Sequence, residues 1–315
     1  MPLCHNTFHM LTYYFRSAKE PSIIIREDIK PGTWVHAENP TAEEVRTLIE
    51  KIGLEEGLVQ DALDFYEVPR FEKEDGVVYL YTRFPATVDG SLGTIPILIA
   101  ITNSAVVTIS TRSVPFLKQY IDGNIPLLTT QRTKLFLHLV QGGAKSFERH
   151  LTAIRKEVQR NKVSIDTISN KDIVRLVLLE STLNDFVGAL TPTYTALHTI
   201  LAGKHLTFHE DDKDMVEDLE LQSKQVIESA KSNLKTIQNI RSAYTAIMSN
   251  NLNDVIKLLT ALTIVLTIPT ILGSLYGMNV PIPFSESTHA FFGITMTAVV
   301  LMGVAALLFS KKGWM

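Results

Sequence analysis

Asn253, Thr260, Thr263, Thr267, Thr270 and Ser274 recur at alternating spacings of three and four, with Ile256 filling the one gap. In a helix that spacing places all of them on one face. The other faces carry Leu258, Leu262, Ile264, Val265, Leu266, Ile268, Ile271 and Leu272. A polar stripe in so apolar a segment points at water or at another helix, since hydroxyls are common where membrane helices touch. Its chemistry is specific in one respect: it offers neutral oxygens and no carboxylates. A small, strongly hydrated cation gives up its water reluctantly. Hydroxyls and amides can hydrogen-bond such a hydrated cation without gripping it, which permits exit as well as entry. Pro269 and Gly273 are expected to free some backbone carbonyls in the outer half of the segment for the same purpose. The stripe runs into Gly277-Met278-Asn279, and that ending favours water over packing.

The elements that must hold this stripe are two apolar segments. Val255 to Tyr276 is 22 residues with Lys257 as its one charge, and Ala290 to Phe309 is 20 residues with none. At about 1.5 Å per residue they reach roughly 33 and 30 Å, enough for a hydrocarbon core of about 30 Å. The loop between them, Gly277 to His289, has no Lys or Arg and one acid, Glu286, which would raise the local cation concentration or simply be solvated. Lys257, Lys311 and Lys312 flank the outer ends of the pair. Positive residues favour the cytoplasmic side, so both termini are expected there, in a multi-pass protein of the cell membrane. Two buried helices of a soluble protein are the competing reading. Arg175 to Ile200 is also apolar, but Glu180, Asp185 and Pro192 interrupt it, and its helical spacing predicts a packed amphipathic helix. A hairpin of two spans encloses nothing alone, so several copies around an axis are implied.

The chain has 315 residues, with 30 basic against 33 acidic side chains. There is no basic excess to suggest a nucleic-acid partner. Cys4 is the one cysteine, which excludes an internal disulfide framework. No N-terminal run suits a cleaved leader, so the bulk is expected in the cytosol. Residues 1–125 read as an α/β domain. Strands are expected at Phe8 to Arg16, Ile23 to Arg26 and Val77 to Phe84, the last stopped by Pro85. Thr41 with Glu44 forms a capping box for a helix ended by Gly53. Asn103-Ser104 turns a hairpin between Ile95–Thr102 and Ala105–Ser110. Residues 126–252 read as a helical stalk, with helices from Thr133 (weakened by Gly142-Gly143), from Asp172 and from Asp211. The last shows no break before Pro269, and continued to Tyr276 it would be roughly 99 Å long. The spans then occupy 253–276 and 290–310, the outer loop 277–289, and a basic tail 311–315. Gly142-Gly143-Ala144-Lys145-Ser146 lacks the glycine spacing and the preceding strand of a phosphate loop. With no clustered nucleophile or base, the chain does not read as an enzyme, and no organic cofactor is expected.

Tyr276-Gly277-Met278-Asn279 at the outer end of the first of two C-terminal spans, with Lys311-Lys312-Gly313-Trp314 closing the chain, resembles the signature of the CorA family of divalent-cation transporters. The likeness extends to Gly32-Thr33-Trp34-Val35, to Asn39-Pro40-Thr41-Ala42-Glu43-Glu44, and to Asp61-Ala62-Leu63 leading into Pro69-Arg70-Phe71-Glu72. The resemblance implies a homopentamer with a cytosolic α/β domain and a funnel of long helices. It implies passive uptake of Mg²⁺, with Co²⁺ or Ni²⁺ as further cargo. Gly277, Met278 and Asn279 would form the selectivity ring, with Asn279 touching the ion through its water. Asn253, Ile256, Leu259, Thr263, Thr267 and Thr270 would line the pore, Ile256 and Leu259 as an apolar constriction; the family phase favours Leu259 where the stripe has Thr260. It also implies closure by cytosolic Mg²⁺ between protomers, with Asp61 as one ligand. Its partner falls in the run Glu210, Asp211, Asp212, Asp214, Glu217, Asp218, and counting back from Asn279 selects Asp218. Asp211 and Asp212 read instead as a solvated helix start, favoured by the helix dipole. His205 and His209 stand four apart without a third ligand. The alternatives are a Zn²⁺ transporter of the same superfamily, with proton coupling, and a membrane-tethered scaffold; Met278 favours the Mg²⁺ reading over Zn²⁺.

Overall fold

The computed structural model describes residues 10–163, 169–280, 287 and 289–314. Glu286 and Cys4 lie outside them. The chain divides into two compact units, Met1–Asn239 and Ile240–Met315.

The first unit is built on a seven-stranded sheet of order β2-β1-β3-β7-β6-β5-β4. The strands are β1 (Met10–Phe15), β2 (Ile24–Arg26), β3 (Thr33–Glu38), β4 (Arg70–Glu74), β5 (Val77–Val88), β6 (Ser91–Ile101) and β7 (Ala105–Ser110). All neighbours are antiparallel except β3 and β7. Helices α1 (Ala42–Ile52) and α2 (Glu56–Asp61) cover one face. There Val45, Leu48, Leu58 and Val59 pack with Val35, Tyr79, Tyr81 and Leu98. The Thr41–Glu44 box is closed in both directions, and Gly53 ends α1 in the left-handed conformation at φ 80°.

The opposite face meets α4 (Arg132–Val163) and α5 (Asn170–Leu201); a short helix, α3 (Lys118–Ile121), precedes them. Side chains alternate along a strand, so while Tyr79 and Tyr81 face α1 and α2, Thr82 and Phe84 face α4 and α5. Thr82 Oγ1 lies 3.0 Å from Thr193 Oγ1 of α5. Gly142 and Gly143 do not weaken α4; they let it approach. A Cβ on Gly143 would stand 1.7 Å from the Phe84 ring, and one on Gly142 would stand 2.7 Å from Tyr120 Oη.

Pro85 does not stop β5, which continues to Val88 with Pro85 opposite Thr94. Strand β4 pairs with β5 only as far as Tyr81, so Pro85 has an unpaired edge beside it, where proline is tolerated. The Asn103–Ser104 turn is present, and Thr102 Oγ1 accepts from the backbone N–H groups of Ser104 and Ala105. Two further hairpins turn at Asp75-Gly76 and Asp89-Gly90, with φ near 49° at each Asp and 81–83° at each Gly. That pairing suits the two-residue loops whose twist matches the strands. Helix α5 is the packed helix its spacing implies, burying Leu176, Leu183, Phe186, Leu197 and Ile200.

Helix α6 (Lys213–Tyr276) is one 64-residue element that starts in the first unit and ends in the second. Helix α7 (Ala290–Lys311) completes the second unit. These two have windows of mean hydropathy 2.2 and 2.3 that are 6% buried. Core helices of a soluble protein would be largely covered. These instead present Leu258, Leu262, Ile264, Leu266, Phe291, Phe292, Leu307 and Leu308 to their surroundings, the pattern of helices solvated by lipid.

Candidate functional site

In the second unit α6 has two distinct long faces. Ala261, Val265, Ile268, Pro269 and Leu272 are buried or half-buried, as are Ile294, Ala298, Met302, Ala305 and Ala306 on α7. Near the C-terminal end of α6, Leu272 and Tyr276 share a hollow with Ala290, Gly293, Ile294 and Thr297. The stripe lies elsewhere. Thr260, Thr263, Thr267, Thr270 and Ser274 are all exposed, centred roughly 150° around the helix from Ala261 and Leu272 at 100° per residue. Ile256 falls within the stripe, while Asn253 and Leu259 lie about 20° beyond its two opposite edges; all three are exposed. Packing of α6 on its own α7 therefore does not account for the threonines.

Three hydroxyls show what the face offers. Thr263 Oγ1 donates to the Leu259 carbonyl at 2.8 Å, Thr267 to Thr263 at 2.7 Å, and Thr270 to Leu266 at 3.2 Å. Each proton is spent on the helix itself, so lone pairs remain outward. Water bound to a cation turns its hydrogens outward and meets such acceptors correctly. The freed-carbonyl expectation fares differently. Val265, whose carbonyl loses its partner to Pro269, belongs to the half-buried face, and the Gly273 carbonyl accepts from the Gly277 N–H at 3.0 Å.

Gly277, Met278 and Asn279 follow directly on the last turn of α6 and are exposed. A Cβ on Gly277 would come within 3.2 Å of the Gly273 carbonyl oxygen, so this turn is tight. Lys257 is paired with Asp254 at 2.9 Å at the N-terminal end of the span.

The proposed regulatory carboxylates belong to the first unit. Asp61 ends α2, is about half exposed (49%), and lies 2.7 Å from Arg70 Nη2. Asp218 is exposed in the opening turns of α6 and lines a shallow groove with Gln141, Lys145 and Glu148 of α4. Both supply the hard oxygens that Mg²⁺ takes. Among the described residues no group of three His, Cys, Asp or Glu side chains is placed to hold a metal ion.

Asp211 is exposed, as a solvated helix start should be, but Asp212 is not: it is 4% exposed and faces Lys134 at 3.9 Å. His205 lies against Phe71, ring centres 4.7 Å apart and planes tilted by 53°. It shares with His209 a polar hollow also lined by Arg132 and Lys134.

Sequence reasoning missed Arg70 as a hub. Its three nitrogens each reach a different carboxylate: Nη2 to Asp61, Nη1 to Glu67 and Nε to Glu72, the last at 2.6 Å. Its guanidinium also lies 4.0 Å over the Tyr81 ring. Acids at three before and two after one arginine were the available signal.

An α/β unit followed by two uncovered apolar helices, the first bearing a cation-compatible face, defines a two-span membrane protein. Residues 30–312 match the family described as CorA-like Mg²⁺ transporter protein, and the chain belongs to that family of transporters. It is 23% identical over 289 residues to the cobalt/magnesium transport protein CorA of Methanocaldococcus jannaschii, covering 89% of this chain and 90% of that one. The complete structure of the M. jannaschii CorA magnesium transporter superposes with a TM-score of 0.84 at 19% identity, over 97% of this chain and 99% of that one. The cytoplasmic domain of ZntB from Vibrio parahaemolyticus shares the fold more distantly, with a TM-score of 0.63 at 12% identity over 77% and 99%.

Proposed function

We propose that copies of this chain, five by family resemblance, gather around an axis in the cell membrane and pass hydrated Mg²⁺ inward, with Co²⁺ and Ni²⁺ as further cargo. Residues 253–276 line the path, 277–289 form its outer mouth, and both termini stay in the cytoplasm. The observation that carries this reading is the threonine face of α6: uncovered by α7, with the hydroxyl protons of Thr263, Thr267 and Thr270 turned onto their own helix, and ending on Gly277-Met278-Asn279.

In this reading Asn279 contacts the ion through its water shell, and Gly277 and Met278 shape the ring that presents the amide. Thr270, Thr267 and Thr263 accept from the shell along the path. Ile256 and Leu259 close it by dewetting, with Asn253 at the inner end. The drive is electrical, because two charges crossing about 100 mV release roughly 4.6 kcal/mol, so no nucleotide is required. Cytosolic Mg²⁺ bound by Asp61 of one protomer and Asp218 of the next favours the closed state.

A second reading is proton-coupled Zn²⁺ transport, favoured by the shared fold of the ZntB cytoplasmic domain. Purified protein in liposomes under an inside-negative voltage separates the two. Mg²⁺ entry indifferent to a pH gradient is expected. Entry of Zn²⁺ alone, increased by the gradient, would replace the first reading with the second, and no divalent entry would remove both.

A further inference from the structure

Arg70 opens β4 beside the end of α2, and its guanidinium is shared among three acids that the intervening turn brings together. One positive and three negative charges leave a net of −2 on these four side chains, and none of them is fully buried. An arginine keeps its proton at any physiological pH, so this positive charge cannot be titrated away. Glu67 and Glu72 hold the guanidinium from two sides and Tyr81 supports its face. Asp61, at 49% exposure the most open of the three acids, is the one that can exchange partners.

We infer that Arg70 is a tethered competitor for Asp61, set beside it so that Mg²⁺ binds only when the ion is abundant. This rests on the reading of Asp61 as a regulatory ligand. Mg²⁺ arriving at Asp61 must displace the Nη2 hydrogen bond or bind through the other oxygen, and either way it sits near a fixed positive charge. The repulsion between a divalent ion and a guanidinium about 5 Å apart in water corresponds to roughly a tenfold loss of affinity. Glu67 and Glu72 moderate that loss by drawing the guanidinium toward themselves. The arginine thus raises the concentration of cytosolic Mg²⁺ at which closure occurs.

The test is the Mg²⁺ midpoint for thermal stabilisation of the full-length protein in detergent, a binding readout independent of transport. Arg70→Gln is expected to lower the midpoint roughly tenfold, and Arg70→Lys, which keeps the charge, to shift it by less than about threefold. Asp61→Asn should raise it. If Asp61→Asn raises the midpoint while Arg70→Gln leaves it unchanged or raises it, Asp61 binds the ion and Arg70 does not compete. If Asp61→Asn changes nothing, the regulatory reading of Asp61 fails, and the inference with it. Should Arg70→Gln not fold, Glu72→Gln serves instead. It releases the guanidinium toward Asp61 and removes a negative charge, so a rise of several-fold is expected, and an unchanged or lower midpoint overturns the inference.

Discussion

Threonine does opposite work in the two units. In the sheet, Thr82 and Thr108 are buried and bonded across elements: Thr82 meets Thr193, and Thr108 Oγ1 accepts from Trp34 Nε1 at 3.0 Å and contacts His36 Nδ1 at 2.8 Å. On α6, Thr263, Thr267 and Thr270 are exposed and bonded only to their own helix. The sheet threonines hold neighbours together, and without Thr108 the buried Trp34 N–H would be stranded. These three α6 threonines bridge no second element among the described residues, and their oxygens stay exposed. Glycine divides by position rather than by unit: Gly142 and Gly143 are pressed against aromatic rings, whereas Gly188 in the same unit, like Gly273, Gly293 and Gly303 in the other, has open space where a Cβ would stand.

The sharpest way to break this contrast is Asn279→Ala, which should reduce Mg²⁺ uptake to background while the thermal midpoint and oligomer size stay unchanged. Retained uptake would remove Asn279 from the selectivity ring. Next is Gly143→Ala. Overpacking against Phe84 should cost about 3 kcal/mol in denaturant unfolding, or prevent folding altogether. Gly188→Ala, in an open stretch of α5, should instead gain up to about 1 kcal/mol. Equal effects at the two sites would show that close approach is not what Gly143 provides.

The threonine comparison is tested by one substitution in each unit. Thr82→Val should destabilise by about 1 kcal/mol. Thr267→Val should leave stability within about 0.5 kcal/mol and lower Mg²⁺ flux several-fold, and unchanged flux would return the stripe to a packing role.

The smallest effect is a pH dependence confined to the first unit. Burial holds the imidazoles of His138 and His150 below their ordinary value near 6.5, assisted by Lys134 and Lys145 at His138 and by Arg149 at His150. The unfolded chain takes up these protons first. Stability is therefore fully present above about pH 6.5 and declines as the pH falls below it. A thermal midpoint that rises on going from pH 7 to pH 5.5 would contradict this sign.

Local signals carried much of the fold. The Thr41–Glu44 box, the Asn103–Ser104 turn and the two spans depend on neighbours in sequence and were readable there. The passage of β5 through Pro85 was not, because it depends on where a separate strand, β4, stops pairing. Gly142-Gly143 suggested weakness in α4 because the Phe84 ring that explains them is about sixty residues away in sequence. The Asp75-Gly76 and Asp89-Gly90 hairpins carried their signal openly and were passed over. For the candidate site, the stripe and its Asn279 ending follow from helical spacing. The Arg70 hub follows from a turn that spacing cannot supply, and the burial of Asp212 from its meeting with α4 at Lys134.

The hydroxyl geometry of α6 carries one more consequence. A lining made of alcohol oxygens with their protons committed inward has a polarity but no ionisable group, so acidity does not change its state. If such a face conducts, its preference for positive ions is written in dipoles rather than in charges. The current through it should then be the same in mildly acid and mildly alkaline media.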